Sequence, residues 1–486
     1  MMRVLFVIPK NKSMFGGRGI TGFPNVGIAY LTAVLKKNKI LVEIFDEGIG
    51  EKEDGVFALM DRFHPAIIGV TGFSYGYGFL EETIKKLKKY RNIPIIVGGP
   101  YVAATKDEII RTTPADFALV GEGETAFLQF LKQLGEKRPS FDQVPGLIWK
   151  KDQKIIQNPL PPFVKDLDKL PFPDYEAFDL EKYPCFAEKI LPIITSRGCP
   201  YGCNYCSVRL SMGCGFRPRS PENVVAELKH WYKKGFCSFD INDDCFTLDL
   251  KRAEKICDLI IRNKLIIKFQ LYNGIRVDRV TFELLKKLKK VGCIFIAYGC
   301  ESGNQEVLDR IKKGITLKQV REAVDWTNKV GIKNSVNFII GHKDETYEQA
   351  LDSLKFAKSL PTNFVNFFNM VPYPGAEVYD WAIKKAKFLV PKKTYLREIS
   401  YRDNIPIFET KEFTKEQRIE VVKKGLALYE RKILQFRLGR FLGFFIFGLT
   451  RIKILSKAAR WLIYGNKQGM KIYQLLIVRS KNKANN

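Results

Sequence analysis

The chain reads as an α/β protein in three parts: an N-terminal doubly wound, Rossmann-like parallel sheet, a partial (β/α)6 barrel of TIM type, and a basic α-helical C-terminal region. Short apolar runs alternate with amphipathic helical stretches, and Gly-rich turns follow the runs, which is the pattern of parallel sheets with crossover helices. The prolines Pro159, Pro161, Pro162, Pro171 and Pro173, in a stretch of weak periodicity, mark a connecting segment between two such series. The expected boundaries are 1–140 for the first sheet, 141–189 for the linker, 190–395 for the barrel and 396–486 for the helical region.

In the first part, strands are expected at Arg3–Ile8, Leu41–Asp46, Ile67–Thr71, Pro94–Val97 and Phe117–Val120. Helices are expected at Val26–Lys37, near Gly55–Phe63, at Gly78–Tyr90, near Lys106–Thr112 and at Thr125–Leu134. Ligands of doubly wound sheets sit at the carboxyl ends of the strands, where Gly-rich turns let backbone approach them. The candidates there are Thr71 and Ser74, Gly98 and Gly99, and Gly121 and Glu122. No Gly-x-Gly-x-x-Gly opens a helix after the first strand, which argues against a nicotinamide cofactor.

The second part places strands near Leu191–Thr195, Ser238–Asn242, Lys268–Asn273, Ile294–Gly299, Asn334–Ile340 and Phe364–Met370. Active sites of parallel barrels lie at the carboxyl rim. The loop after the first of these strands reads Ser-Arg-Gly-Cys-Pro-Tyr-Gly-Cys-Asn-Tyr-Cys and brings Cys199, Cys203 and Cys206 together. That spacing lets one loop reach three corners of an iron–sulfur cube, and no fourth cysteine follows at a matching interval, so one iron is left open for a substrate or cofactor. Zinc is the weaker reading, because zinc sites pair two knuckles and the chain has one, with only three histidines (His64, His230, His342).

The loop resembles the signature of the radical S-adenosylmethionine enzymes, Cys-x-x-x-Cys-x-aromatic-Cys, with Tyr205 as the aromatic residue. The resemblance implies a four-iron four-sulfur cluster whose open iron is chelated by S-adenosylmethionine, and reductive cleavage to a 5′-deoxyadenosyl radical. It also places Glu301 and Ser302 of Gly299-Cys300-Glu301-Ser302-Gly303 near the methionine moiety and Gly341 of Asn337-Phe338-Ile339-Ile340-Gly341 near adenine. Asp243 and Asp244 at the end of the second barrel strand, and Asn273 and Arg276 at the end of the third, complete the expected rim. Carboxylates and amides beside an amine and a ribose suit charge-assisted hydrogen bonding, although the same residue types also favour caps and turns.

The N-terminal part resembles the cobalamin-binding domain that precedes the barrel in one subgroup of that family. The matching residues are Phe23-Pro24-Asn25-Val26-Gly27 with Tyr30-Leu31, the Val97-Gly98-Gly99-Pro100 turn, and Ala115-Asp116 leading to Gly121-Glu122-Gly123-Glu124. The Asp-x-His-x-x-Gly string that supplies a lower cobalt ligand is missing, and His64 reads as an ordinary helix-boundary histidine. The subgroup implies hydrogen abstraction from an unactivated carbon followed by methyl transfer from cobalamin, or else cyclisation, ring contraction or oxidation without methyl transfer. It also implies a reducing electron donor such as a flavodoxin or ferredoxin. The tRNA-modifying methylthiotransferases carry further cluster cysteines in their N-terminal domain, whereas residues 1–184 hold none.

The formal net charge of +28 is mostly explained by lysines on the polar faces of amphipathic helices, so nucleic acid is not the expected partner. Ten cysteines without a paired framework, and no signal peptide, fit a reducing cytoplasm. Residues 431–464 mix Phe441, Phe444, Phe445 and Trp461 with Arg437, Arg440, Arg451 and Lys453, in an apolar run too short to span a bilayer. Two readings fit: a helix lying on the inner, anionic membrane face, which would favour a lipid or other hydrophobic substrate, or a helical lid on the barrel.

Overall fold

The computed structural model describes residues 2–10, 22–49, 54–397 and 405–451. The N-terminal strands are β1 (Arg3–Ile8), β2 (Leu41–Asp46), β3 (Ile67–Thr71), β4 (Ile95–Gly98) and β5 (Phe117–Leu119). They pair in parallel in the order β2-β1-β3-β4-β5. The crossovers are α1 (Val26–Lys37), α2 (Gly55–Phe63), α3 (Tyr77–Tyr90), the short α4 (Pro100–Thr105) and α5 (Glu108–Thr112), and α6 (Gly123–Leu134). The all-apolar sequence of β1, buried from Val4 to Ile8, is what a central parallel strand covered on both faces requires. This strand order reverses direction between β1 and β3, and doubly wound sheets of that order bind ligands at that crevice.

Two expectations are corrected. The segment 141–189 is not wholly a linker: β6 (Leu147–Lys151) and β7 (Lys154–Gln157) add antiparallel to β5 and complete a seven-stranded sheet. Asp152 and Gln153 both take left-handed φ (48° and 63°), the geometry of a tight two-residue hairpin, and Leu147, Ile148 and Trp149 are buried. The helix expected near Lys106–Thr112 begins at Glu108 as α5, and a short helix that was not expected, α4, precedes it, opened by Pro100 directly after Gly99.

The second sheet has six parallel strands in simple sequential order: β8 (Ile190–Ile193), β9 (Ser238–Ile241), β10 (Lys268–Ile275), β11 (Cys293–Glu301), β12 (Lys333–Ile340) and β13 (Phe364–Asn369). Helix α7 (Val208–Met212) follows the cysteine loop. The crossovers are α8 (Pro221–Lys233), α9 (Leu250–Arg262), α10 (Phe282–Lys290), α11 (Gln305–Arg310), α12 (Leu317–Lys329) and α13 (Tyr347–Ser359). Local chemistry sets their starts. Thr316 with Gln319, and Thr346 with Gln349, form reciprocal capping boxes at α12 and α13. After α14 (Glu377–Lys385) the last described residues form α15 (Lys415–Leu438) and α16 (Arg440–Arg451), an antiparallel hairpin. α15 covers the edge strand β13 so closely that a Cβ on Gly425 would collide with the Phe367 ring. Trp461 and Lys453 lie outside the described residues.

One hydrophobic core runs through both sheets, and a second joins the N-terminal sheet to the segment just after β13. One joins Phe6 and Phe127 to Trp231 and Leu191, the other joins Leu5 and Val97 to Met370 and Val371. The two sheets therefore share their interiors.

Candidate active site

The cysteine loop is closed at its base, where Ser196 and Arg197 pair antiparallel with Pro218 and Arg217. Cys199 N donates to Gly213 O at 3.4 Å and Cys206 N to Cys203 O at 3.2 Å. Asn204 ties the loop to α11, its backbone N donating to Ile311 O at 3.2 Å and its side chain to Arg310 O at 3.3 Å. Gly198, at φ 86°, has no room for a side chain against Gly215 O. All three loop thiols are free and half-buried.

The two aspartates after β9 hold this loop. Asp243 accepts from Thr195 N at 2.5 Å, Thr195 Oγ1 at 2.5 Å and Ser196 Oγ at 2.6 Å. Both its oxygens are engaged by protein, so Asp243 anchors the loop. Asp244 accepts from Gly198 N at 3.0 Å, and burial pushes its carboxyl up to about 6. The residue after this pair was not singled out by the sequence. Cys245 Sγ lies 3.5 Å from Cys199 Sγ, and its S–H holds the Cys199 thiol down at about 6. Its position at a strand's carboxyl end, directly after two candidate residues, was the available signal. Burial pushes Cys206 the other way, up to about 11.

A four-iron cluster suits this donor set. Among the described residues no three His, Cys, Asp or Glu are arranged to hold a single ion. A cubane instead takes one thiolate at each of three irons, so its ligands surround a volume rather than a point.

Around the rim, Glu301 ends β11 in a left-handed conformation (φ 72°). Lys313, itself buried, donates to Glu301 Oε1 at 2.8 Å and to Tyr205 OH at 3.2 Å. Burial, the largest influence, would lower the Lys313 ammonium, but Glu301 and Cys203 together outweigh it and the net shift is upward. Gly299 makes room for this pair: a Cβ there would sit 2.5 Å from Glu301 Oε1 and 3.1 Å from Lys313 Nζ. The Tyr205 ring packs edge-on against His342 at 5.6 Å, and burial lowers that imidazole to about 4, so it is neutral. Arg276 is stacked 3.5 Å over the Tyr201 ring, and it donates to Asp278 at 2.9 Å and to Lys313 O at 2.7 Å. Asn273 donates to Asp243 O at 2.8 Å.

Two further rim residues are engaged by neighbouring elements of the protein. Ser302 is fully buried, its hydroxyl 3.3 Å from Ser353 Oγ and accepting from Asn304 N at 3.2 Å, so it fastens the β11 turn to α13. At Gly341 (φ 94°) the space of a side chain is filled by the Arg418 guanidinium from α15. Gly341 N and His342 N donate to Glu345 Oε2 at 2.6 and 3.0 Å, and burial pushes that carboxyl up to about 7. Arg418 lies more than seventy residues downstream in an unremarkable helical stretch, and nothing in its sequence context signals the insertion.

The N-terminal sheet turns its carboxyl edge toward this loop. α4 packs on α7, and Gly375 is wedged between Leu210 and Ala104. A Cβ on Gly99 (φ 97°) would sit 2.9 Å from Gly72 O and Thr71 Oγ1, whereas one on Gly98 would meet only Leu119 O at 4.0 Å, so the edge is bare there. Ser74 is buried at the start of the turn before α3. This glycine-bare edge lies at the carboxyl end of β4, beside Thr71 of β3, and leaves room for a flat macrocycle at the carboxyl ends of the strands. His64 caps the far end of α2 just before β3 begins, on the opposite edge of the sheet, and is not placed to ligate from below.

Gly121 and Glu122 are likewise engaged by protein. Gly121 is backed by Pro161 at 2.9 Å from its Cβ position. Glu122 accepts from Arg197 at 2.9 Å, Arg217 at 2.8 Å and Val164 N at 2.7 Å, and Glu124 accepts from Arg197 at 2.6 Å. Arg197, two residues before Cys199, is thus a buried fork joining the N-terminal sheet to the cysteine loop.

Residues 193–357 match the radical SAM superfamily and residues 21–131 the B12 binding domain. An uncharacterized methyltransferase of Pyrococcus horikoshii is 31% identical over 441 residues, covering 89% of this chain and 93% of the relative. The anaerobic magnesium-protoporphyrin IX monomethyl ester cyclase of Rubrivivax gelatinosus is 28% identical, covering 78% of this chain and 69% of that one. The solved radical S-adenosylmethionine methyltransferase TsrM of Kitasatospora setae, bound to cobalamin and a four-iron four-sulfur cluster, shares the fold, with a TM-score of 0.66 at 18% identity and coverage of 78% and 77%. The chain belongs to the radical SAM superfamily, in the branch that carries a B12-binding domain and takes a four-iron four-sulfur cluster, S-adenosylmethionine and cobalamin.

Proposed function

We propose that the protein is a cobalamin-dependent radical methyltransferase acting on an unactivated carbon of a small hydrophobic or lipid substrate held between the two carboxyl edges. The observation that carries this reading is the Arg197 fork, which sets the cysteine loop against the glycine-bare edge of the N-terminal sheet. When bound, the cluster with S-adenosylmethionine supplies a radical for hydrogen abstraction, and cobalamin supplies the methyl group. Cys199, Cys203 and Cys206 would hold the cluster. Thr71, Ser74, Gly98 and Gly99 would back the corrinoid. Glu301 and Lys313 offer a carboxylate and an ammonium side by side, suited to the ammonium and carboxylate of an amino-acid moiety, with Asn273, Arg276 and Asp244 beside them. The share of Asp243 is to fix the loop, and that of Tyr205 is to wall the Lys313–Glu301 pair from solvent.

The test is anaerobic reconstitution with iron, sulfide and cobalamin, then reduction with methyl-labelled S-adenosylmethionine. Cobalt retained with the protein, 5′-deoxyadenosine formed, and label in a product from candidate apolar substrates are the expected results. Deoxyadenosine with no label transferred to any product would favour the cyclase-type reading that the Rubrivivax relative suggests. Failure to retain cobalt would remove methyl transfer through cobalamin.

Cys245 carries a narrower prediction. Hydrogen bonds to cluster sulfurs raise reduction potential by favouring the more negative state, so Cys245→Ala is expected to leave iron content unchanged and lower the midpoint potential by roughly tens of millivolts. Redox titration followed by electron paramagnetic resonance checks it, and an unshifted potential would remove Cys245 from the ligand environment.

A further inference from the structure

We propose that the outer face of α16 docks on an anionic lipid bilayer, a surface separate from the catalytic site and independent of the reaction assigned to it. Four large apolar side chains of this helix stand in solvent: Phe441 is 89% exposed, Phe445 61%, Phe444 55% and Leu442 53%. Phe444 is met from α15 by the Arg431 guanidinium and still stays more than half exposed. Gly443 is the residue turned inward, and a Cβ there would collide with the Gln435 backbone of α15. α15 is in turn held on the barrel, where Lys432 donates to Leu360 O at 3.0 Å and Thr362 O at 3.1 Å. The hairpin is therefore a fixed platform that presents an aromatic face outward.

Charge identifies the partner. Residues 431–486 contain 13 Lys or Arg and no Asp or Glu, so nearly half of the net charge of +28 sits on this end of the chain. Arg431 lies 4.8 Å over the Phe444 ring, and Arg440 is exposed beside Phe441. Phenylalanine and leucine flanked by cations, with no balancing acid, match the acyl boundary and the anionic headgroups of a membrane surface together. The aromatic residues exposed here are Phe rather than the hydrogen-bonding types, and the aliphatic Leu442 lies among them, which favours lipid over stacked nucleobases. No helix among the described residues is long and apolar enough to cross a membrane, so attachment would be in the plane of the surface.

The experiment is flotation of the full-length protein with vesicles of equal parts phosphatidylglycerol and phosphatidylcholine, and with phosphatidylcholine alone, beside the double variant Phe441→Ser, Phe445→Ser. The wild type is expected to float with the anionic vesicles and not the neutral ones, less so at about 1 M salt. The double variant is expected to lose about tenfold in bound fraction while keeping the thermal unfolding curve of the wild type, because both side chains are exposed. Absence of flotation overturns the proposal. Flotation unchanged in the double variant also overturns it, since the basic tail would then act by charge alone. Concentration-dependent self-association abolished by the same substitutions would assign the face to a second copy of the chain, and tighter binding to single-stranded RNA than to vesicles would assign it to nucleic acid.

Discussion

Arg197→Ala is expected to destabilise the protein by about 3–5 kcal/mol, the range for removing one partner from a buried ion pair. Arg197 is 6% exposed and its fork spans two carboxylates, Glu122 at 2.9 Å and Glu124 at 2.6 Å. Without it Glu122 keeps Arg217 at 2.8 Å, but Glu124, 7% exposed, is left charged and away from water. Urea unfolding measures the effect, and its causes can be separated. Glu124→Gln in the Arg197→Ala background is expected to recover part of the loss, because a buried neutral amide costs less than a buried carboxylate. Arg197→Lys is expected to fall between wild type and Ala, since an ammonium cannot serve two carboxylates as a planar fork does. An Arg197→Ala protein within about 1 kcal/mol of wild type would show that the pair is solvated, and the fork could not then be what sets the two edges against one another.

The fork also explains what could and could not be read from the sequence. Strand and helix alternation is a local periodicity, so β1 to β5 and β8 to β13 were legible nearly to their ends. The cysteine loop was legible because its chemistry lies within one short stretch. Which residue at a strand end faces a ligand and which faces the protein is a tertiary question. Asp243, Ser302, Gly341 and Glu122 stand where the strand ends said they should, yet their partners are Thr195, Ser353, Arg418 and Arg197, each from another element. Residue type does not tell the two apart, because Asp, Ser, Gly and Glu serve caps, turns and ligands alike. The hairpin of β6 and β7 was hidden for a different reason: the Asp152-Gln153 turn lacks the glycine that usually marks such a geometry. Cys245 was hidden because proximity to Cys199 arises only when β9 is placed beside β8.

That proximity makes the three cysteine-to-alanine variants unequal. Cys203→Ala and Cys206→Ala are expected to lose the cluster and reduce 5′-deoxyadenosine formation to background, because no other thiol stands near to replace them among the contacts the structure gives. Cys199→Ala is expected to retain a measurable fraction of iron and a weak charge-transfer absorbance, since Cys245 Sγ lies 3.5 Å from the lost sulfur and carries the same donor chemistry. The double variant Cys199→Ala, Cys245→Ala should then match the other two. None of these changes should unfold the chain. The loop is held by Asp243, by Asn204 on Ile311 O, and by the Arg197–Arg217 pairing rather than by its thiols, so each substitution is expected to cost about 1 kcal/mol or less. Iron and sulfide analysis on anaerobically reconstituted, thermally characterised proteins decides it. Full cluster content in Cys203→Ala or Cys206→Ala would remove the loop from cluster binding. Equal, complete loss in Cys199→Ala would show that Cys245 tunes its neighbour without being able to take its place, because the distance that permits an S–H···S bond is then too long, or too rigidly held, for ligation.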